Sequence, residues 1–138
     1  MQELKVSKEI TVRFNEVDSM SIVWHGSYAL YFEDARSAFG EKYGLGYLDI
    51  FSHGYYAPLV DLSFRFKHPL IFGDTARVDA IYQPVDAAKI VFNYEIYSHN
   101  RLIADGKSTQ VFLDRKNYQL VWNNPSFYEK WKKKHQLI

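Results

Sequence analysis

Residues 13–36 read Arg13-Phe14-Asn15-Glu16-Val17-Asp18-Ser19-Met20-Ser21-Ile22-Val23-Trp24-His25-Gly26-Ser27-Tyr28-Ala29-Leu30-Tyr31-Phe32-Glu33-Asp34-Ala35-Arg36. The pattern predicts the end of a strand, a short acidic loop and the start of a helix that is too apolar to lie on a surface. Acidic side chains and the unpaired amides of a helix start meet in this stretch. We therefore expect the chemistry of the protein at this junction.

The residues that follow the loop predict a long helix over 27–43. Ser27 is suited to be its N-cap, and Gly44 or Gly46 to end it. Ala29 and Leu30 widen the apolar face, so the helix should be covered on most sides. The apolar positions at helical spacing are Tyr28, Tyr31, Phe32, Ala35, Ala38 and Phe39.

Alternating apolar and polar residues predict five strands around this helix. The first runs from Lys5 to Phe14, before the loop. The other four cover 56–67, 75–82, 89–98 and 101–113. The second strand should bury one face, made by Val60, Leu62, Phe64 and Phe66.

Turn signals separate the strands, and a basic segment closes the chain. We predict turns at Phe72-Gly73-Asp74 and His99-Asn100, so the last two strands are antiparallel neighbours. From Asn124 onward a short helix is expected, with a solvated face of lysines in its last turns (Lys130, Lys132, Lys133 and Lys134). The fold class is therefore α+β, one domain over 1–138, in which a curved antiparallel five-stranded sheet wraps one long central helix.

Composition narrows the class of protein. A net charge of +1 disfavours a general nucleic-acid binder. The chain has no cysteine, which excludes disulfides and a cysteine nucleophile and suits a reducing compartment. The N-terminus lacks a signal-peptide pattern, and no apolar run approaches the roughly 20 residues of a membrane span. We expect a cytoplasmic protein without a membrane span.

Several kinds of catalytic site are absent from the sequence. There is no Gly-x-Ser-x-Gly motif, no phosphate loop, and no metal-binding spacing among the five histidines. We therefore predict no metal and no cofactor. What remains is Asp18 ahead of the helix start, with His25 seven residues later. A carboxylate could attack a carbonyl or deprotonate water, and the helix amides could bind an oxyanion.

Structural roles compete with this interpretation. Asp18 could instead accept hydrogen bonds within its own loop, and His25 could merely pack at the helix start. Glu16 is better explained as a solvated neighbour or an ion-pair partner of Arg13 than as a second catalytic carboxylate. Glu33, with Asp34 and Arg36, suits the polar face of the helix.

The sequence resembles the hotdog-fold acyl-CoA thioesterases, in particular the 4-hydroxybenzoyl-CoA thioesterase-like branch that includes the YbgC type. Nearly the whole chain takes part, with its motifs in the family's order. The motifs are Arg13-Phe14-x-Glu16-x-Asp18, Val23-Trp24-His25-x-x-Tyr28, Tyr31-Phe32-Glu33 with Ala35-Arg36, and Pro69-x-x-Phe72-Gly73-Asp74.

The resemblance implies roles for individual residues. Asp18 would be the general base or nucleophile, and the backbone N–H of His25 would polarise the thioester carbonyl. His25 is thereby counted with Asp18 among the catalytic residues. Substrate contacts are implied for Trp24, Gly26, Tyr28, Lys67 and His68, and Arg65 and Lys89 are further candidates for the phosphates of coenzyme A.

The resemblance also implies a substrate and an assembly. The substrate would be an acyl-CoA or an acyl carrier protein thioester, and the protein would be a homodimer or homotetramer with sheets paired across subunits. Three residues depart from the family pattern: Ser21 replaces a glycine, Trp24 a tyrosine and Ser27 an asparagine. Two alternatives stay open, namely a non-catalytic acyl-thioester binder and a hotdog dehydratase or isomerase.

Overall fold

The computed structural model describes residues 3–137. Its helices are α1 (Ser27–Tyr43), α2 (Tyr47–Ser52) and α3 (Ser126–Lys134). The strands are β1 (Lys5–Thr11), β2 (Tyr55–Tyr56), β3 (Leu59–Phe66), β4 (Thr75–Gln83), β5 (Lys89–Ser98), β6 (Arg101–Val111) and β7 (Leu113–Asp114). Five of them form one antiparallel sheet in the order β1-β4-β5-β6-β3, and β2 pairs with β7. The predicted α+β class with a five-stranded sheet is confirmed.

Helix α1 packs across several strands of the sheet through aromatic rings. The Phe32 ring stacks on Phe64 of β3 and Tyr94 of β5, with ring centroids 5.2 and 4.3 Å away. Gly106 of β6 lies beneath the same helix, where an added Cβ would stand 2.5 Å from the Phe32 ring. Only a glycine therefore allows this close helix–sheet contact.

The ends of the predicted helix are confirmed, but its cap is not. Helix α1 covers residues 27–43, and Gly44 ends it in the left-handed conformation at φ 72°. The N-cap is Gly26, so Ser27 is the first helical residue rather than the cap. The Ser27 hydroxyl is instead donated to the backbone oxygen of Glu16, at 3.0 Å.

The strands after α1 follow the prediction in part, because the predicted strands 56–67 and 101–113 are each divided, into β2 and β3 and into β6 and β7. Strand β5 has the predicted bounds, and its inward residues are buried. The β5–β6 hairpin turns at His99 and Asn100, both at positive φ as a tight two-residue turn requires. The predicted turn at Gly73 is also present, at φ 88°.

Four expectations about strand ends and burial were wrong, and one concerns Phe66, which was predicted to be buried but is 53% exposed at the end of β3. Strand β1 ends at Thr11, and Phe14 begins an exposed 3-10 turn rather than continuing the strand. Val60 is 59% exposed because the β3–β6 register shifts between Leu59 and Asp61, which takes Val60 out of the alternation. Leu30 of α1 is 55% exposed, so the rest of the chain covers one side of the helix rather than most sides.

Helix α3 forms as predicted, but one of its lysines is not solvated. Lys132 is 1% exposed and donates from Nζ to the backbone oxygen of Val85 at 3.0 Å. Beside it, Trp131 donates from Nε1 to the backbone oxygen of Tyr43 at 2.7 Å. The Tyr128 hydroxyl meets that of Tyr82 and the backbone oxygen of Lys89. We call Tyr128, Trp131 and Lys132 the C-terminal anchor.

Candidate active site

Asp18 lies in the turn of a small hairpin between β1 and α1. An antiparallel bridge joins Val17 to Val23, and the Asp18 amide donates to the Ile22 oxygen at 2.8 Å. The Ser21 amide closes a tight turn on the Asp18 oxygen at 3.0 Å, with Ser21 itself at φ 61°. A three-residue hairpin loop needs a left-handed residue at this position. The turn therefore explains why the family pattern has a glycine at this position, and Ser21 adopts the same left-handed conformation.

The Asp18 carboxylate is only half engaged by this turn. Its Oδ1 accepts the Met20 amide at 2.8 Å, which is the structural role that competed with catalysis in the sequence. Its Oδ2 has no hydrogen-bond partner within residues 3–137. The side chain is exposed, so this second oxygen remains available to a substrate or to water.

The turn before α1 leaves two amides unpaired. The Trp24 amide donates to the Glu16 oxygen at 2.9 Å, and the Ser27 amide donates to the Trp24 oxygen at 2.9 Å. Between them, the His25 and Gly26 amides donate to no acceptor in the part of the chain that the structure describes. Two free N–H groups at a helix start form a site for an anion or an oxyanion.

The aromatic side chains of this turn lie over it. The Trp24 and His25 rings are tilted against each other with centroids 4.8 Å apart, and both residues are exposed. An added Cβ on Gly26 would meet the Trp24 indole at 2.0 Å. Glycine at 26 thus allows the indole to cover the backbone beside the free amides.

One cleft of about 370 Å³ brings most of the predicted site residues together. Tyr28 is its buried wall, and burial raises the pKa of the Tyr28 phenol, which stays protonated at neutral pH. Gly26 adjoins the cleft without lining it. The lining residues are Asp18, Ile22, Val23, Trp24, His25, Tyr28, Phe66, Lys67, His68 and Pro69.

Two predicted phosphate contacts do not reach this cleft. Arg65 pairs with Asp105, from Nε to Oδ1 at 2.7 Å, beside a different cavity. Lys89 begins β5, and its backbone oxygen accepts a hydrogen bond from the hydroxyl of Tyr128 in α3. Arg101, which the sequence analysis does not single out, contacts the imidazole ring of His68. Its Nη2 lies 2.6 Å from Nδ1 of His68.

Glu16 differs most from its expected setting. It is 6% exposed rather than solvated, although the expected ion pair with Arg13 is present at 3.1 Å. The Tyr31 hydroxyl donates to its Oε1 at 3.0 Å. Burial opposes ionisation of Glu16, but these hydrogen bonds outweigh burial and lower its pKa. The fifteen-residue separation of Glu16 and Tyr31 gave no local signal for this contact.

Within residues 3–137, no group of three or more histidine, aspartate or glutamate side chains could hold a metal ion. Over the same residues, no helix is both long enough and apolar enough to span a bilayer.

Comparison with known proteins places this arrangement in context. Residues 12–131 match the thioesterase-like superfamily. The Bacillus subtilis protein YneP, provisionally named an acyl-CoA thioesterase, is 32% identical over 133 residues, covering 91% of this chain and 96% of YneP.

Solved structures share the fold. A DHNA-CoA thioesterase from Staphylococcus aureus is 24% identical with a TM-score of 0.85, covering 96% of this chain and 91% of its own. The hypothetical protein TT1821 from Thermus thermophilus is 26% identical with a TM-score of 0.81, covering 94% and 96%. The sheet wrapped around α1 is therefore the hotdog fold.

Proposed function

Because this chain belongs to the thioesterase-like superfamily, we propose that it hydrolyses acyl-CoA thioesters to the free acid and coenzyme A. One observation carries the proposal. The cleft holds an exposed carboxylate, Asp18, and it opens beside the free amides of His25 and Gly26. A base or nucleophile next to an oxyanion site is what thioester hydrolysis requires.

The residues support two routes. In the first, Asp18 takes a proton from water while the water oxygen bonds to the thioester carbon, and the amides of His25 and Gly26 stabilise the oxyanion. The C–S bond then breaks, and the proton held by Asp18 passes to the departing sulfur. In the second, Asp18 itself bonds to the carbon and expels the thiolate, and water then hydrolyses the mixed anhydride.

Rapid quenching during turnover would separate the two routes. The nucleophilic route predicts that a peptide containing Asp18 carries the mass of the acyl group. The general-base route predicts an unmodified Asp18 at every time point.

The decisive test follows thiol release from a panel of acyl-CoAs. We expect Asp18→Asn to lower kcat by about 10²–10⁴-fold while the protein stays folded, because the amide can neither accept the proton nor attack. Asp34→Asn, on the exposed side of α1, is the matched control and should keep wild-type turnover. Undiminished turnover in folded Asp18→Asn would contradict the proposal.

No observation favours the two alternatives. A dehydratase or isomerase would need an acid on the helix near the substrate, but Glu33 lines a separate cavity rather than the cleft of Asp18 and is paired with Arg36. A non-catalytic binder was suggested by the departures at Ser21, Trp24 and Ser27. The turn of Ser21 forms nonetheless, and the amides of His25 and Gly26 remain free within residues 3–137.

The cationic residues of the cleft support a role in binding the thioester end of the substrate. Lys67 and His68 line the same cleft as Asp18, and Arg101 contacts His68. An extended pantetheine arm, equivalent to roughly four residues of chain, spans about 14 Å. We therefore assign Lys67 and His68 to the thioester end of the substrate and not to its distant phosphates. Whether coenzyme A or acyl carrier protein is preferred is decided by offering both thioesters of one acyl group.

We also propose that the protein is a homo-oligomer built through β3. This strand is an edge of the sheet, and Val60 is exposed on it. Phe66 at its end and Leu30 on α1 are exposed as well. Exposed apolar residues beside an open sheet edge are typical of a subunit interface. Light scattering should return the mass of a dimer or tetramer.

The single-domain organisation and the cytoplasmic location stay predictions.

A further inference from the structure

Glu16 is buried beside the cleft, and both of its carboxylate oxygens accept hydrogen bonds. Its Oε1 accepts the Arg13 amide at 2.8 Å and the Tyr31 hydroxyl at 3.0 Å. Its Oε2 accepts Nε and Nη2 of Arg13 at 3.2 and 3.1 Å. All four bonds are charge-assisted, and such bonds are roughly twice as strong as neutral ones.

The backbone of the same residue contacts the start of α1. The Glu16 oxygen accepts the Trp24 amide at 2.9 Å and the Ser27 hydroxyl at 3.0 Å. Glu16 thus connects the end of β1, the turn before the helix, the first helical residue and, through Tyr31, the second turn of the helix.

These contacts lie on either side of the reacting groups. Asp18 is two residues after Glu16, at the tip of the hairpin, and the free amides of His25 and Gly26 directly follow Trp24. The distance between the carboxylate and the amides therefore depends on the segments that Glu16 joins. Neither Glu16 nor Tyr31 lines the cleft, so neither is placed to contact a substrate bound there.

We propose that Glu16 and Tyr31 are positioning residues that hold the Asp18 carboxylate in register with the amides of His25 and Gly26. This role rests on the proposed function. It predicts a loss in the chemical step rather than in substrate binding, because a shift of about 1 Å between reacting groups can cost a hundred-fold in rate.

Tyr31→Phe is the sharpest variant, since it removes one hydroxyl and keeps the ring in the core. We expect kcat to fall about ten-fold and KM to stay within about two-fold. The control is Tyr94→Phe, another buried tyrosine whose hydroxyl bonds to Ser108 at 2.7 Å, away from the hairpin. Both variants lose one buried hydrogen bond, but only Tyr31→Phe should lose kcat.

A second pair of variants tests the carboxylate itself. Glu16→Gln keeps an acceptor for the Arg13 amide and the Tyr31 hydroxyl, whereas Glu16→Ala removes both. We expect Glu16→Gln to retain more kcat than Glu16→Ala at equal KM. Amide hydrogen exchange at Trp24 should be faster in Tyr31→Phe than in wild type, which reports the loosened turn without any substrate.

The outcomes separate this role from the proposed function. Wild-type kcat in Tyr31→Phe, with Asp18→Asn inactive, would overturn the positioning role alone. An equal loss of kcat in Tyr94→Phe would overturn it as well, since the loss would then follow stability. Wild-type turnover in Asp18→Asn would overturn the proposed function and the positioning role with it.

Discussion

The C-terminal anchor and the hairpin that carries Asp18 differ in whether their polar groups have hydrogen-bond partners inside the protein. In the anchor, Trp131 and Lys132 donate to backbone oxygens of the protein and are buried. At the hairpin and the turn that follows it, Oδ2 of Asp18 and the His25 and Gly26 amides have no partner within residues 3–137, and Asp18 and His25 are exposed. The anchor residues pair their polar groups inside the protein, whereas the groups near Asp18 stay free where a ligand could bind.

Physical chemistry explains why both arrangements are tolerated. A buried polar group without a partner costs about 1–3 kcal/mol, so the anchor must be fully paired. An exposed group exchanges water for a ligand at little cost to folding. Substitutions in the anchor should therefore change the free energy of unfolding, whereas those at the hairpin should change turnover.

The largest effect on stability is expected from Trp131→Ala. Removing a buried tryptophan that packs on Tyr82 and bonds to the Tyr43 oxygen should lower the free energy of unfolding by about 3–5 kcal/mol. Denaturant unfolding measures this loss, and kcat of the folded variant should be unchanged. Trp122→Ala, at an exposed tryptophan, should stay within about 0.5 kcal/mol of wild type. Equal losses in the two variants would contradict the comparison.

Tyr128→Phe should have the next largest effect. The change leaves the Tyr82 hydroxyl and the Lys89 oxygen without their partner, which should cost about 1–3 kcal/mol of unfolding free energy. Thermal unfolding compares it with Tyr47→Phe, at an exposed tyrosine, where no loss is expected. A fall in kcat without a fall in stability would be the opposite of what this region predicts.

Glu16 lies at the boundary between the two behaviours, and pH should reveal it. Its pKa is lowered in the folded protein, so ionised Glu16 stabilises the fold above the ordinary glutamate pKa of about 4.3. This contribution is lost as the pH falls through the folded pKa. The unfolding free energy of wild type should therefore decline more steeply below pH about 4.3 than that of Glu16→Gln. If the unfolding free energies of the two proteins fell equally steeply with pH, ionised Glu16 would contribute nothing to stability.

The smallest effect is expected at Ser21. Serine in the left-handed conformation costs roughly 1 kcal/mol relative to glycine, so Ser21→Gly should raise the unfolding free energy by about 0.5–1 kcal/mol and leave kcat unchanged. Ser19→Gly, in the same turn but not at positive φ, should give no gain. If Ser21→Gly lowered kcat, the hydroxyl would have a role beyond the turn.

The sequence predicted those elements whose signals are local. Helix α1 was bounded correctly because the apolar spacing ends at Gly44, and the β5–β6 turn was found because its two residues stand between alternating strands. Val60 is predicted to face inward because the residue types around it alternate regularly and give no sign of the register shift in β3. Lys132 was placed in solvent because its oxygen partners come from the distant segment that includes Val85.

The candidate site followed the same rule. Asp18 and His25 were found because helix starts and acidic loops are adjacent in sequence, and one cleft brings them together. The left-handed turn at Ser21 and the burial of Glu16 were not foreseen. The left-handed conformation of Ser21 follows from the length of the hairpin loop, which the residue types do not reveal. The burial of Glu16 depends on its contact with Tyr31, fifteen residues further along the chain.

The bond from the Met20 amide to Oδ1 of Asp18 makes the two carboxylate oxygens inequivalent. In a free aspartate, rotation about the Cβ–Cγ bond exchanges the oxygens, so either one can react and each orientation is populated part of the time. Here the turn fixes that rotation before any substrate arrives, at no conformational entropy cost during the reaction. Oδ2 is thus the oxygen left without a partner within residues 3–137, so the short loop of Asp18 sets the two oxygens apart before a substrate binds.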